Sequence, residues 1–498
     1  MTIEADVCVV GSGAGGGVVA GALAAAGKRV CVLEAGGYFN EADFNQLEAW
    51  GYQNLYLRGG PIPTAEGQVS IQAGSALGGG TLINWQNCLR TFPWVRRQWA
   101  REFGLAELDG PDYERWLDEV WARIGVTDSC SELNGPHRRL REGCEALGWD
   151  FRLITRNVDP ARHDPDLAGY VGFGDVTGAK QSTLRTYLGD AHRRGADLVV
   201  DCRAERIVVE GGRAAGVEGR YLGPDGVACP VVVRALQVVV ACGAIESPAL
   251  LRRSGIGGPA VGDYLRLHPA GAIFATYEEP QDPWWGPPQA ALSHQFAAGP
   301  DGYGFLIEGA HHSVGISAAA TPWRSGRQHK EDMARFRETA ALIWLIRDRG
   351  HGRVDVDRDG NAVPSYRLVD ELDVANFRAG QEAVARIHHA AGATRIGGLA
   401  RRRPLWEHGG DFEAFLAELR ACPLEPFEHA VFSAHQMGSC RMGPDPATSV
   451  ANPDGELHDT PGVWIGDASA FPTASGTNPM VTIMALARRT AEAIAASM

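Results

Sequence analysis

Two residues near the end of the chain have side chains suited to chemistry. His435 opens the string HQMGSCRMG, and Asn478 lies in GTNPMVTIMALARR. A histidine, with an ordinary pKa of about 6.5, can accept a proton near neutrality. An asparagine amide can donate to or orient a substrate oxygen without adding a second proton acceptor. Both residues also have structural readings. His435 could cap or pack, and Asn478 before Pro479 has the form of a helix N-cap and first-turn proline, leading into an apolar-faced helix from Met480 to Ala493.

What these residues act on is set at the other end of the chain. Ala5-Asp6-Val7-Cys8-Val9-Val10 has the composition of a buried parallel strand. It runs into Gly11-Ser12-Gly13-Ala14-Gly15-Gly16 and a small-residue stretch, Val18 to Ala26, that reads as a helix. Gly11 suits the tight turn, Gly13 the approach of backbone to a pyrophosphate, and Gly16 close packing of helix on strand. A second strand from Arg29 to Leu33 ends on Glu34, about 20 residues on, where a carboxylate would accept from a ribose 2′-hydroxyl. An acid there disfavours a 2′-phosphate and so NADP; NAD and FAD stay open.

A chain of 498 residues, 45% of them hydrophobic, has room for two or three domains and a large core. Its formal charge of -13 argues against a nucleic-acid partner, though not against a dinucleotide held by backbone N–H groups. The first strand starts so near Met1 that no secretory leader is expected, and no apolar run reaches the ~18 residues of a membrane helix. A cytoplasmic protein with no transmembrane segment is the expectation. The ten cysteines form no CxxC pair, so no metal site is expected. His311-His312 and His388-His389 are adjacent rather than one helical turn apart, and read as surface or structural histidines.

The elements that must position these residues can be traced in outline. Gly74 to Trp85 is glycine-rich and apolar, suited to close approach by a flat ligand. Trp94 to Gly148 reads as helices laid over the nucleotide domain, and Asn157 to Gly178 as irregular chain. From Thr183 a second nucleotide-domain piece carries strands at Leu198-Val199-Val200, Ile207-Val208-Val209 and Val231 to Val240, closing on Cys242-Gly243-Ala244-Ile245-Glu246-Ser247-Pro248. Between Leu267 and Ala430 the period falls to two, as in Val354-Asp355-Val356-Asp357 before the turn at Asp359-Gly360, which predicts an antiparallel sheet. Trp284-Trp285, among the prolines from Pro280 to Pro288, reads as a stiff loop at a substrate entrance or as a packed hinge.

The run GAIESPALLRRSGIG, Gly243 to Gly257, resembles the second signature of the glucose–methanol–choline (GMC) flavoprotein oxidoreductases. GSGAGG with Glu34, the run ending in Asn84, VGDYLRLHP from Val261, and HQMGSCRMG with Asp467 and GTNPM agree with it, in the family's order. The resemblance implies an α/β fold: a discontinuous Rossmann-like FAD-binding domain (residues 1–93, 179–266 and 431–498) and an α+β substrate domain with an antiparallel sheet (94–178 and 267–430). It selects FAD over NAD. GAKQSTLRTYL from Gly178 and RDRGHGRV from Arg347 look most like the long-chain alcohol oxidase branch. On this reading the chain is expected to differ from that branch in having no N-terminal membrane-associated extension, and the stretch before Lys180 has no cysteines where such relatives are cysteine-rich.

By the same resemblance, His435 is the base and Asn478 its partner. Asn84 lies beside the flavin's reactive edge with Gly79, Thr81 and Trp85 around it, and Ile83 cannot form the covalent bond some relatives make, so dissociable FAD is expected. Asp467 matches the acid near the ribityl or pyrophosphate portion, and Ala204 a backbone contact to adenine. Pro479 and Met480 open a helix whose dipole would favour the charge of a reduced ring. The function implied is FAD-dependent oxidation of a primary alcohol, long-chain or aromatic, to an aldehyde, with molecular oxygen or another acceptor taking the electrons. A sugar, glycoside or aminoglycoside hydroxyl is the alternative, since 13 tryptophans could stack on sugar rings. A flavin photoenzyme acting on fatty acids and a non-catalytic flavin binder are further readings.

Overall fold

The computed structural model describes residues 1–498. Val7–Val10 and Val30–Leu33 lie side by side in a five-stranded parallel sheet, in the order Val463–Ile465, Gln237–Val240, Val7–Val10, Val30–Leu33, Asp197–Val199. Its central strands are buried on both faces, which is why VCVV, VCVL and QVVV show no alternation. The sheet takes its strands from the beginning, the middle and the end of the chain.

The helix Ala14–Ala25 starts directly after the glycine turn and packs against the C-terminal helix Met480–Ser497. At its start the helix lies too close to the backbone of Gly11 and Gly466 for side chains. A Cβ on Gly15 would stand 1.8 Å from the carbonyl oxygen of Gly466, and one on Gly16 2.0 Å from that of Gly11. The close-packing task expected of Gly16 is therefore shared with Gly15.

The apolar run from Val231 to Val240 is two strands rather than one. Ala228–Arg234 belongs to a separate four-stranded sheet with Thr2–Glu4, Arg213–Leu222 and Cys202–Glu210, and Gln237–Val240 to the parallel sheet. The chain crosses between them at Leu236, which is exposed. Val354 lies in the expected hairpin, Gly352–Val356 with Ala362–Ser365, but this forms a small sheet of its own with Asp263–Leu265.

The largest sheet is mainly antiparallel, with Ala270–Thr276, Thr339–Ile346, Phe305–Ala310 and Ala291–Ser293 at its heart. The helices Gly135–Leu147 and Glu371–Ala390 pack on it. Ala272 pairs with Ile343 and Ala310 with Ala341, and together with Ala270 these apolar residues line a cavity. Of the helices expected between Trp94 and Gly148, Pro93–Glu102 and Pro111–Arg123 bury Trp99, Tyr113 and Trp116 in the core of the parallel sheet. Gly135–Leu147 joins the core of the large sheet instead, so residues 94–178 divide their packing between both cores.

Candidate active site

One continuous cavity of about 860 Å³ runs from the glycine turn to His435 and Asn478. At the turn, Gly11 has φ 99°, and a Cβ there would meet the Ala241 carbonyl oxygen at 2.2 Å. At Gly13, Gly80 and Gly243 an added Cβ would meet nothing within 4 Å, so bare backbone faces the cavity. This is the surface a pyrophosphate needs. Glu34 stands beside it, accepting from the Ser12 amide and hydroxyl at 3.1 and 2.5 Å and from the Gly36 amide at 2.9 Å. Burial pushes its pKa up, while the Ser12 and Gly36 bonds act to lower it. Ala204 lines this end with Cys202 and Arg203.

Asp467 also reaches the wall, with its oxygens already engaged. It accepts from the Gly243 amide at 2.8 Å, the Ser247 hydroxyl at 2.5 Å and the Ser469 amide at 2.8 Å, and so ties the helix Gly243–Ser254 to the 467–469 turn. Gly79 abuts Gly13, with its absent Cβ 2.8 Å from the Gly13 Cα. Thr81 bonds Thr183 at 3.0 Å. Asn84 closes the short helix Gly80–Ile83, and its amide lies 2.9 Å from the Met480 sulfur. Trp85 and Pro479 complete this part of the wall.

At the far end, His435 is held by its neighbours. Its Nδ1 is 3.3 Å from Nδ1 of His268, and Nε2 of His268 accepts the Gly476 N–H at 3.0 Å. With Nε2 occupied as acceptor, neutral His268 carries its hydrogen on Nδ1 and donates to His435. Two adjacent residues then fix the two loops. Asp348 accepts the amides of Leu267 and His268 at 2.9 and 3.1 Å, and Arg347 donates to the Ala474 carbonyl at 2.9 Å and to Thr473 at 3.1 Å. Burial lowers the His435 pKa to about 4 and that of His268 well below its ordinary value. His435 is therefore a neutral ring at working pH.

Asn478 does not cap its helix. Pro479 already has helical angles, the Ile483 amide bonds its carbonyl, and Oδ1 of Asn478 is buried without a partner on the cavity wall. Its oxygen is thus left for a ligand, while the side chain also bears on Glu308, a fully buried carboxyl in the strand Phe305–Ala310 that accepts from Gln289 at 2.5 Å and has Oε1 unpaired. Burial raises the Glu308 pKa to about 7, and Asn478 and Gln289 pull against that rise.

Glu308 was missed because its strand, FLIEGA, reads as half-solvated, whereas its polar position faces the cavity. His268 and Arg347-Asp348 lie in strings singled out in the sequence, but nothing local signalled that they would meet. His311 and His312 are not surface residues: both are buried on the cavity wall, with His311 edge-on to Trp85 at 6.3 Å. His388 is structural, 2.9 Å from the Tyr277 hydroxyl, and His389 stacks on Phe412. Trp284 stacks on Phe336, and neither Trp284 nor Trp285 lines the cavity; the loop is a packed one.

The glycine cradle, the buried acid at its end and the histidine–asparagine pair beyond fit a flavin dinucleotide poised against a small-molecule site. Two profiles described as GMC oxidoreductase match the chain, over residues 52–270 and 348–487. The long-chain-alcohol oxidase FAO4A of Arabidopsis thaliana is 35% identical over 98% of this chain and 68% of its own length, and FAO3 of the same plant is 31% identical over 100% and 69%. The fold is also that of pyridoxine 4-oxidase from Mesorbium loti (TM-score 0.74, 19% identity, 98% of each chain). A formate oxidase variant of Aspergillus oryzae RIB40 shares it as well (TM-score 0.69, 15% identity, 100% of this chain and 99% of the other). The chain belongs to the GMC oxidoreductases and is an FAD-dependent enzyme acting on CH–OH groups.

Proposed function

We propose that the protein oxidises a primary alcohol, long-chain or aromatic, to its aldehyde at the His435 end of the cavity. The observation that carries this reading is the contrast between that polar end and the sheet face beside it, where Ala270, Ala272, Ala310, Ala341 and Ile343 leave an apolar wall. An aliphatic or aromatic body gains about 25 cal/mol per Å² of apolar surface buried there. The hydroxyls of a sugar would find few partners on it. The names of the two Arabidopsis relatives support the same substrate class.

FAD, when bound, supplies a ring that takes hydride from the carbinol carbon. His435 takes the hydroxyl proton on Nε2, which has no protein partner, and the Asn478 amide holds the oxygen. The bond from His268 favours the tautomer with hydrogen on Nε2 of His435. The accepting tautomer requires both ring hydrogens to shift toward Gly476, at the cost of one buried hydrogen bond, about 1–3 kcal/mol. An alcohol that donates into Nε2 replaces that bond. Ile83 leaves no nucleophile at its position on the wall, so FAD is held non-covalently in this reading. Ten free cysteines, most of them buried, support a reducing, cytoplasmic setting.

The test is anaerobic addition, in the dark, of aliphatic alcohols of increasing length, benzyl alcohol and glycosides, while loss of the flavin's yellow colour is followed. Bleaching by the aliphatic or aromatic alcohols is expected. Bleaching by glycosides alone would replace the substrate class, and none by any alcohol would overturn the proposal. Recovery of colour in air then identifies oxygen as an acceptor.

A further inference from the structure

Arginine outnumbers lysine in this chain by 44 to three, and of Lys28, Lys180 and Lys330 only Lys180 is buried. Its ammonium uses all three hydrogens on backbone carbonyls: Leu82 at 2.8 Å, Asn84 at 2.7 Å and Val171 at 2.8 Å. A compact ammonium can converge on three carbonyls around one nitrogen; a planar guanidinium cannot, which explains a lysine here in an arginine-rich protein. No carboxylate touches the Nζ. Asp175, the acid whose charge acts on it, is engaged with the Lys180 amide at 2.6 Å and with the amide and hydroxyl of Thr177.

A second buried cation reinforces the first. Arg156 is fully buried and donates to the Gln289 carbonyl at 2.7 Å and to Oε1 of Gln86 at 2.5 Å, again to no carboxylate. Burial pulls the Lys180 pKa down to about 7; Asp175 acts to raise it and Arg156 to lower it further, while the three carbonyl bonds favour the charged form. Burying cations without a counter-charge is costly. Both lie behind the segment from Leu82 to Asn87, of which Ile83, Asn84, Trp85 and Asn87 form cavity wall beside Met480.

We propose that Lys180 is a positioning residue for the flavin's electrostatics: it pins the 82–84 backbone and, with Arg156, holds positive charge behind the cavity wall so that bound FAD is easier to reduce. A fixed charge in a water-poor wall favours the extra negative charge of the reduced ring without reorganising. The proposal rests on FAD binding and not on the identity of the alcohol.

The experiment is the midpoint potential of the FAD-loaded enzyme, reduced photochemically against an indicator dye without any alcohol, for wild type, K180Q and K180M. Glutamine keeps hydrogen-bond donors and loses the charge; methionine loses both. Both variants are expected to disfavour reduction about tenfold, about 30 mV for a two-electron couple. A potential of K180Q equal to that of wild type, or a K180M that changes FAD affinity with its potential unmoved, would make Lys180 a backbone pin only and overturn the proposal. A rise in potential would overturn it too. If K180M does not fold, K180Q carries the comparison, and R156Q, expected to shift the potential in the same direction, serves if neither folds. Failure of every alcohol to bleach the flavin would leave this result standing.

Discussion

His435 has one partner on its ring, and that partner is itself fixed by a backbone amide and by the Asp348 carboxylate behind its own backbone. A proton acceptor placed in this way contributes about 100-fold to 10,000-fold to a rate. H435A should therefore slow anaerobic bleaching by that factor with FAD content unchanged, and bleaching at the wild-type rate would remove His435 from the mechanism. Glu308 gives a pH signature. Its folded pKa, raised from 4.5 to about 7, means that the native state binds more protons than the unfolded chain between those values. Stability is then lost as pH rises through this window, by about 3 kcal/mol in all. E308Q should gain on wild type in urea melts between pH 5 and pH 8 and should lack the wild-type inflection in bleaching rate near pH 7. Parallel pH curves for the two proteins would show that Glu308 does not titrate there. His435 and Asn478 stand out as candidates in the sequence because each sits in a dense string that resembles the family's; Glu308 does not, because alternation along one strand does not say whether the polar face meets water or a cavity.

Among the elements, the glycine turn and its helix separate two functions of glycine that one motif conflates. G15A places a methyl 1.8 Å from the Gly466 oxygen, so helix and turn must part, at about 1 to 3 kcal/mol. G13A meets nothing in the protein and projects from bare cavity wall. Its apoprotein should melt as wild type does, while its FAD affinity falls roughly tenfold or more as the methyl keeps the pyrophosphate off. Equal melting of both variants, or unchanged FAD affinity in G13A, would contradict this assignment. The strand, turn and helix were readable because all their signals are contiguous. The run Val231 to Val240 reads as one strand because composition alone does not show where a chain leaves one sheet for another. Asn478-Pro479 has the form of a cap, but the helix starts one residue later than that form implies, and the amide oxygen is left unpaired at the cavity.

At the scale of the molecule, the cofactor cavity is lined from both the parallel sheet and the large antiparallel sheet, from Val10 to Ile343. A ligand bound there stabilises only the assembled state, by about 2.7 kcal/mol when present at 100 times its Kd. Removing FAD should lower the thermal midpoint by a few degrees and adding it back should restore it, and acid precipitation should leave all the yellow in the supernatant. Yellow retained in the pellet would mean a covalent bond to a residue other than Ile83. The sequence by itself determined the order of strand, glycine turn and helix, the acid that follows the second strand, and the family, because each of these is written in neighbouring residues. The tertiary structure decided that His268 would meet His435 across 167 positions, that Glu308 would stand behind Asn478, and that a lysine from the middle of the chain would support the wall at Asn84. Such meetings depend on strand order and on how closely helices pack, which no local pattern of residues encodes.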